Sequence, residues 1–299
     1  MGVARALVLI AALAGCALGG APGRARAQGA EASPSPNASP SPRATPSDPC
    51  GGPGRLLATA NRPTIGYSTC AVAAHTVVFE LGYQNQVNAT ASAGSVQSQV
   101  PQNFLRVGVA PHFELDVIGP NYVATRVYAT AIPGRTSYGV NDSGLGFKFQ
   151  FPTYGRLSLA IDGLDTPPNG SPFLTAGNAT LTGNLDASYS LSPATSIGTT
   201  IAVASTGGFT PANTHARYGV TTPSFVLTTQ IPNFYQFYAE YVYVSKIAPN
   251  LNGRAFIDAG VQKLLGTRTE IDVEYGHSLI GDPGLSFSYV GAGLVIQLR

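Results

Sequence analysis

Tryptophan is absent from this chain of 299 residues, methionine occurs once, and charged residues make up only 11%. A soluble globular protein usually carries about a quarter charged residues, so the ordinary solvated surface is missing. Past the N-terminus no apolar run approaches the roughly 18 residues of a membrane-spanning helix, which excludes a helical membrane protein. Histidine occurs four times and cysteine three times, in no metal-ligand spacing, and no nucleotide-binding motif is present. No metal and no cofactor are therefore expected. The formal charge of +2 misleads for the chain as a whole. Arg5, Arg24, Arg26, Arg43, Arg55 and Arg62 all precede residue 76, and the remainder of the chain is slightly acidic. No basic patch points to a nucleic-acid partner.

What is plentiful is glycine, with 35 residues, together with 14 Tyr and 13 Phe. The stretch from Asn141 to Asp165 shows how they are used. Leu145, Phe147, Phe149 and Phe151 alternate with Gly146, Lys148 and Gln150; after Pro152–Gly155, Leu157, Leu159 and Ile161 alternate with Arg156, Ser158, Ala160 and Asp162. Successive side chains of a strand point to opposite faces, so this is a hairpin with one apolar and one polar, charged face.

The N-terminus reads as an export signal over residues 1–27. Arg5 precedes the apolar stretch Ala6–Leu18, and Ala25-Arg26-Ala27 forms an A-x-A cleavage site. Leu13-Ala14-Gly15-Cys16 also resembles a lipobox, which would make Cys16 a lipidated N-terminus. Either route uses up Cys16 and leaves Cys50 and Cys70, which an oxidising periplasm would join. Residues 28–75 are expected to form a Ser/Pro-rich linker and then a disulfide-stapled segment on the periplasmic side. That segment either plugs or caps the strands beyond it or is a plain leader into the first of them.

Twelve strands are expected from Thr76 to the end: Thr76–Gln86, Ser95–Val109, His112–Ile118, Asn141–Phe151, Arg156–Leu164, Asn178–Ser190, Thr195–Ser205, Ser224–Ile231, Phe234–Ser245, Arg254–Leu264, Arg268–His277 and Leu285–Leu298. The connections between them alternate between short turns, such as Ala110-Pro111, and longer segments, such as Gly119–Val140 and Thr206–Pro223. Short turns on one side and long loops on the other mark an all-β, transmembrane antiparallel up-and-down barrel, residues 76–299, in the outer membrane of a bacterium.

Charge placement supports the same fold. Glu80, Arg106, Glu114, Asp116, Asp186 and Glu240 share the polar faces of their strands. In the last strands Arg254, Asp258 and Gln262, then Arg268, Glu270, Asp272 and Glu274, alternate with apolar residues. A dry apolar core cannot hold so many ionised groups, each unpaired one costing several kcal/mol to desolvate. The polar face therefore lines a lumen and the apolar face meets lipid. Tyr83, Phe151, Tyr189, Tyr235, Tyr243 and Tyr275 are placed to form interfacial girdles.

Phe104-Leu105-Arg106-Val107-Gly108-Val109 through Phe113-Glu114-Leu115, then Ser143-Gly144-Leu145-Gly146 with Phe147-Lys148-Phe149, and Thr166-Pro167-Pro168-Asn169-Gly170 together resemble strands and a loop of a bacterial outer-membrane transporter family, the one named for the meta-pathway of phenol degradation. Phe147 stands where that family carries Asp, and the chain ends on Arg299 rather than on an aromatic residue. The resemblance implies a channel for small solutes, aromatic or apolar ones among them.

Three functions compete. The first is a channel in which small solutes diffuse passively through a lumen lined by Arg106, Lys148, Arg156, Arg254 and Arg268 opposite Glu240, Asp258, Glu270, Asp272 and Glu274. These charges either select solutes or only pair with one another. The second is a structural barrel, with the flexible linker as a tether. The third, an outer-membrane hydrolase, is disfavoured, because His75, His112, His215 and His277 lack placeable Ser and Asp partners. The expected partners are outer-membrane lipid and a small solute; the oligomeric state is not legible.

Overall fold

The computed structural model describes residues 50–51, 54–90, 92–129, 132–210, 214–232, 234–280 and 286–298. The export signal, Cys16 and the Ser/Pro-rich linker lie outside these.

A short helix, α1 (Arg55–Thr59), precedes fifteen strands: β1 (Val77–Ala89), β2 (Ala93–Val100), β3 (Phe104–Ala110), β4 (Phe113–Ile118), β5 (Tyr122–Ala129), β6 (Ile132–Val140), β7 (Gly144–Gln150), β8 (Leu157–Thr166), β9 (Thr180–Ser190), β10 (Thr195–Phe209), β11 (His215–Ile231), β12 (Tyr235–Val244), β13 (Arg254–Leu265), β14 (Thr269–Ile280) and β15 (Ser286–Gln297). All pairings are antiparallel, and β15 closes on β1 from Val78↔Gln297 to Ala89↔Ser286. The fifteen segments make a closed barrel of twelve strands, because three of the barrel strands are broken in two. The halves are β2 with β3, β4 with β5, and β6 with β7. The lower part of β1 pairs with β3 and the upper part with β2.

The breaks have a chemical cause. Pro101 and Pro120 have no N–H to give to a ladder. Asparagines replace the lost bonds across the kink: Asn103 N–H donates to Asn121 Oδ1 at 3.0 Å, and Asn121 N–H to Asn141 Oδ1 at 2.7 Å. Asp142 then takes the Gly170 and Ala176 amides at 2.7 and 2.8 Å, tying the β8–β9 loop to the break between β6 and β7.

Two expected loops are strands instead. Residues 119–140 contain the β5–β6 hairpin, with register Tyr122↔Val140 through Ala129↔Ile132. The Gly119-Pro120 pair reads as a loop signal, yet it only interrupts the ladder before Val- and Tyr-rich sequence resumes. Residues 206–209 and 215–223 are the paired ends of β10 and β11, out to Phe209↔His215. Pro223 within them argues against a strand by sequence alone. In the structure the Thr221 N–H and C=O both bond Ser245, so Pro223, two residues on, faces the same side, next to Ser224, where pairing with β12 begins.

Inside and outside are inverted relative to a soluble sandwich. Along β14, Glu270, Asp272 and Glu274 are buried while Ile271, Val273 and Tyr275 are exposed. Leu145, Phe147, Leu185, Ile201, Phe225 and Val290 are among the many other apolar side chains on the outer face. Tyr83, Phe151, Tyr189, Tyr235, Tyr243 and Tyr275 are all exposed there too.

The segment expected to lie on one side of the barrel runs inside it. Backbone amides of residues 61–72 reach inward side chains of β1, β4, β7, β10 and β12, which stand around the whole circumference. The segment enters at the end with the short turns, where Leu56, Leu57 and Ala60 pack with Val72, Val78, Leu264 and Val295. Burying each leucine there contributes roughly 1.5–3 kcal/mol. It turns near Ile65–Tyr67 and returns to the same end, where Ala71 N–H donates to Gln150 at 2.9 Å. Cys50 and Cys70 form a disulfide that staples the two legs, 20 residues apart in sequence.

Closing a loop of that size stabilises by about 3 kcal/mol in the chain-entropy model, and the structure puts this on the plug rather than on the barrel ladder. Reduced protein, or the Cys50→Ser/Cys70→Ser variant, should keep the heat-modifiable gel mobility of a folded barrel while trypsin gains access at Arg55 and Arg62. Loss of heat-modifiability on reduction would show that the disulfide holds the barrel itself.

Candidate functional site

The interior wall is acidic. Glu80, Glu114, Asp116, Asp162, Asp186, Glu240, Asp258, Glu270, Asp272 and Glu274 are buried on it, and Arg106 and Lys148 are the cations buried with them. Strand periodicity puts them there, because each occupies an inward position of its strand.

Part of this charge is neutralised by ion pairs. Arg106 bridges Glu80 at 3.0 Å and Glu114 at 2.7 Å and also donates to the Thr59 and Cys70 carbonyls of the plug. Lys148 lies 3.3 Å from Asp162 and donates to the Ser68 carbonyl at 2.5 Å. Backbone donors of the plug reach three of the acids, two of which Arg106 already pairs. Glu80 accepts the amides of Asn61 and Arg62, both at 3.1 Å; Glu240 accepts those of Ile65 and Gly66, both at 2.8 Å; Glu114 accepts that of Val72 at 2.5 Å. Thr200 Oγ1 takes the Tyr67 amide at 2.9 Å. Charged acceptors make such bonds shorter and stronger than neutral ones.

Arg62 is the plug's contribution to the opposite wall. Its guanidinium donates to Gln102 Oε1 at 2.7 Å and lies 3.3 Å from Asp272 and 3.6 Å from Glu274. Burial alone would lower its pKa, but Asp272 and Glu274 outweigh that effect and hold it above the ordinary arginine value. Gly82 of β1 and Gly293 of β15 pair directly beneath it. A Cβ on either glycine would strike the Arg62 side chain, and one on Gly293 would strike Asp272 as well. Toward the loop end of β15 the next inward residues are Gly291, Tyr289 and Phe287. Phe287 and Tyr289 cluster with Phe256 and Val242, and Tyr289 donates to Asp258 at 2.8 Å.

Beyond the plug tip, between β8 and β11, lies a cavity of about 290 Å³. Ile65, Gly66 and Tyr67 form its floor, and Thr182, Asn184, Thr200, Thr222, Leu164 and Val220 are among its walls.

The residues expected to line the lumen divide into two groups. Arg106, Lys148, Glu240, Asp258, Glu270, Asp272 and Glu274 are buried on the interior face. Arg254 is at the loop end, 4.5 Å above the Phe287 ring and 3.4 Å from Asn88. Arg156 and Arg268 belong elsewhere: both are exposed in short turns, Arg156 donating to the Leu191 carbonyl of the neighbouring turn. Each stands one residue beyond the regular strand, in a turn where inward and outward lose their meaning. No signal in the sequence points to Arg62, because no periodicity applies to the plug.

The four histidines are spread over both ends of the barrel. His75 and His112 sit in turn-end connections with φ of 62° and 64°. His215 packs on Phe209 at the loop end, and His277 is exposed on the outer face. Among the described residues no group of three or more His, Cys, Asp or Glu side chains could hold a metal ion.

No family model matches the chain, and no curated protein matches it in sequence. Solved structures do match. An outer-membrane channel from Pseudomonas putida F1 is similar at 12% identity with a TM-score of 0.56, over 76% of this chain and 97% of that one. The translocator domain of the autotransporter NalP from Neisseria meningitidis is similar at 6% identity and a TM-score of 0.51, over 74% and 88%. The chain has the fold of porin-like outer-membrane β-barrels. No family model supports the family that the sequence resembles.

Removing one partner of a buried ion pair costs about 3–5 kcal/mol, because the other charge stays behind. Arg106→Ala strands Glu80 and Glu114 together, so its urea midpoint in detergent should fall well below that of wild type. Glu240→Ala acts more locally, orphaning the Ile65 and Gly66 amides at about 1–3 kcal/mol each. Hydrogen exchange at those two amides should accelerate by roughly tenfold or more, while exchange along the β12–β13 ladder stays unchanged.

Proposed function

We propose that this chain is an outer-membrane channel for small solutes, closed in the conformation described here by residues 54–76 and conducting when that segment shifts. The turn end, where the plug enters, faces the periplasm, so the N-terminal segment reaches the lumen from that side. The observation that carries this reading is the chemistry of the plug's attachment. Its tip is held by backbone amides on carboxylates and hydroxyls, bonds that water or ions can replace, whereas a permanent core would be held by apolar packing. A cavity already stands beyond the tip. The likeness to an outer-membrane channel supports the same reading.

Polar solutes suit this interior better than the aromatic or apolar ones that the resemblance implies. The wall around the plug carries carboxylates, and an apolar solute would leave them desolvated and unpaired. A second reading, a non-conducting scaffold barrel, draws on the apolar seal of Leu56, Leu57 and Ala60 at the turn end.

Planar-bilayer recording in a KCl gradient separates the two. Wild type should be closed or show rare, small openings. A variant with residues 50–75 removed should conduct continuously and select cations, since the exposed wall is dominated by acids. A folded plug-less barrel without conductance would sink the channel reading and leave the scaffold.

A further inference from the structure

The contact between Arg62 and the β14–β15 wall has the form of a ligand site. A planar cation lies on a floor of two paired glycines, Gly82 and Gly293, where any side chain would exclude it. Asp272 and Glu274 flank it, and Gln102 adds a neutral acceptor at 2.7 Å. Gln102 is available because the barrel strand breaks between β2 and β3; its own amide donates to the Gly82 carbonyl at 2.7 Å. The tethered guanidinium does not use up the site: Asp272 Oδ2 and Glu274 Oε2 are buried without a hydrogen-bond partner among the described residues. A guanidinium carries five N–H donors in a fixed plane that matches such acceptors.

The side of the site toward the loop end suits the same chemistry. Inward positions of β15 step from Phe287 to Tyr289 and then to the glycines, with Phe256 and Asp258 of β13 alongside. Aromatic faces attract cations, and Arg254 already rests over Phe287 at 4.5 Å.

We infer that Arg62 is a built-in mimic of the solute, and that the channel takes small organic cations bearing a guanidinium group, which bind at Asp272, Glu274 and Gln102 by displacing it. This rests on the channel reading for transport, but binding at the site can be measured without it. A solute arriving at this wall competes with the plug's own cation, so occupancy and release of the plug are linked.

The test uses the full-length protein folded in detergent and the Arg62→Ala variant, with heat-modifiable mobility as the check of folding; Arg62→Gln, which keeps most of the side-chain stem, replaces it if needed. The probes are arginine amide, guanidinium chloride at low millimolar concentration, and urea as the neutral mimic of guanidinium. Titration calorimetry should find arginine amide binding to Arg62→Ala at least tenfold tighter than to wild type, with urea not binding. Adding Asp272→Asn and Glu274→Gln should abolish that binding. Equal binding of urea and guanidinium, or none of arginine amide to a folded Arg62→Ala chain, overturns the inference and leaves the contact a structural ion pair. Bilayer recording of the same variant reads the channel separately. Arginine amide that binds a silent barrel refutes transport but keeps the site; a conducting barrel indifferent to arginine amide refutes the site but keeps the channel.

Discussion

The structure depends on one constraint: a barrel that turns its apolar residues outward must keep its charges inside. Water fills that role in a wide pore. Here the acids outnumber the buried cations, and another part of the same chain supplies donors and one further cation to several of them. Glu80, Glu114 and Glu240 each accept backbone amides of the plug, and Asp272 and Glu274 face Arg62. Barrel and plug are therefore mutually required in this conformation. Without the plug the wall would be solvated acid; without the wall the plug would be a short segment with one turn of helix and no core.

This arrangement differs from hydrophobic packing in how it can come apart. An apolar core loses its full transfer free energy when separated, whereas a backbone amide leaving a carboxylate can be replaced by water or by a cation at small net change. The apolar contacts of α1 sit at the turn end, beside the bonds of the Ala71 and Val72 amides to Gln150 and Glu114, whereas the contacts at the tip are polar. The plug is thus anchored where it enters and held by exchangeable bonds where it blocks. The disulfide lies on the anchored side, joining Cys50 near the entry to Cys70 on the returning leg. Movement of the tip without loss of the whole segment is the motion that this distribution permits.

The broken strands serve the same interior. Where β2–β3, β4–β5 and β6–β7 kink, the ladder is bridged by Asn103, Asn121 and Asn141, and Gln102 is brought to Arg62. Above the kink β6 pairs with β5, and the β8–β9 loop is pinned at its base through Asp142. The prolines and glycines there are loop signals in the sequence, and locally they do interrupt the strands. Only the neighbouring strands reveal that pairing resumes beyond them.

Alternation along the chain was enough to establish the barrel, the number of its strands, its apolar outer face and most of its inward charges, because a period of two is a local property that tertiary structure only closes into a ring. Glu270, Asp272 and Glu274 could be assigned inward from their spacing alone. The same rule misplaced Arg156 and Arg268, one step past the ends of their strands, where a turn erases the alternation. What tertiary structure alone decided is the fate of residues 54–76. They have no periodicity and little secondary structure, so nothing local distinguishes a leader from a plug. Their position is set by acceptors contributed from distant strands, Arg62 and Asp272 being 210 residues apart, and such partners become visible only when the barrel has closed around them.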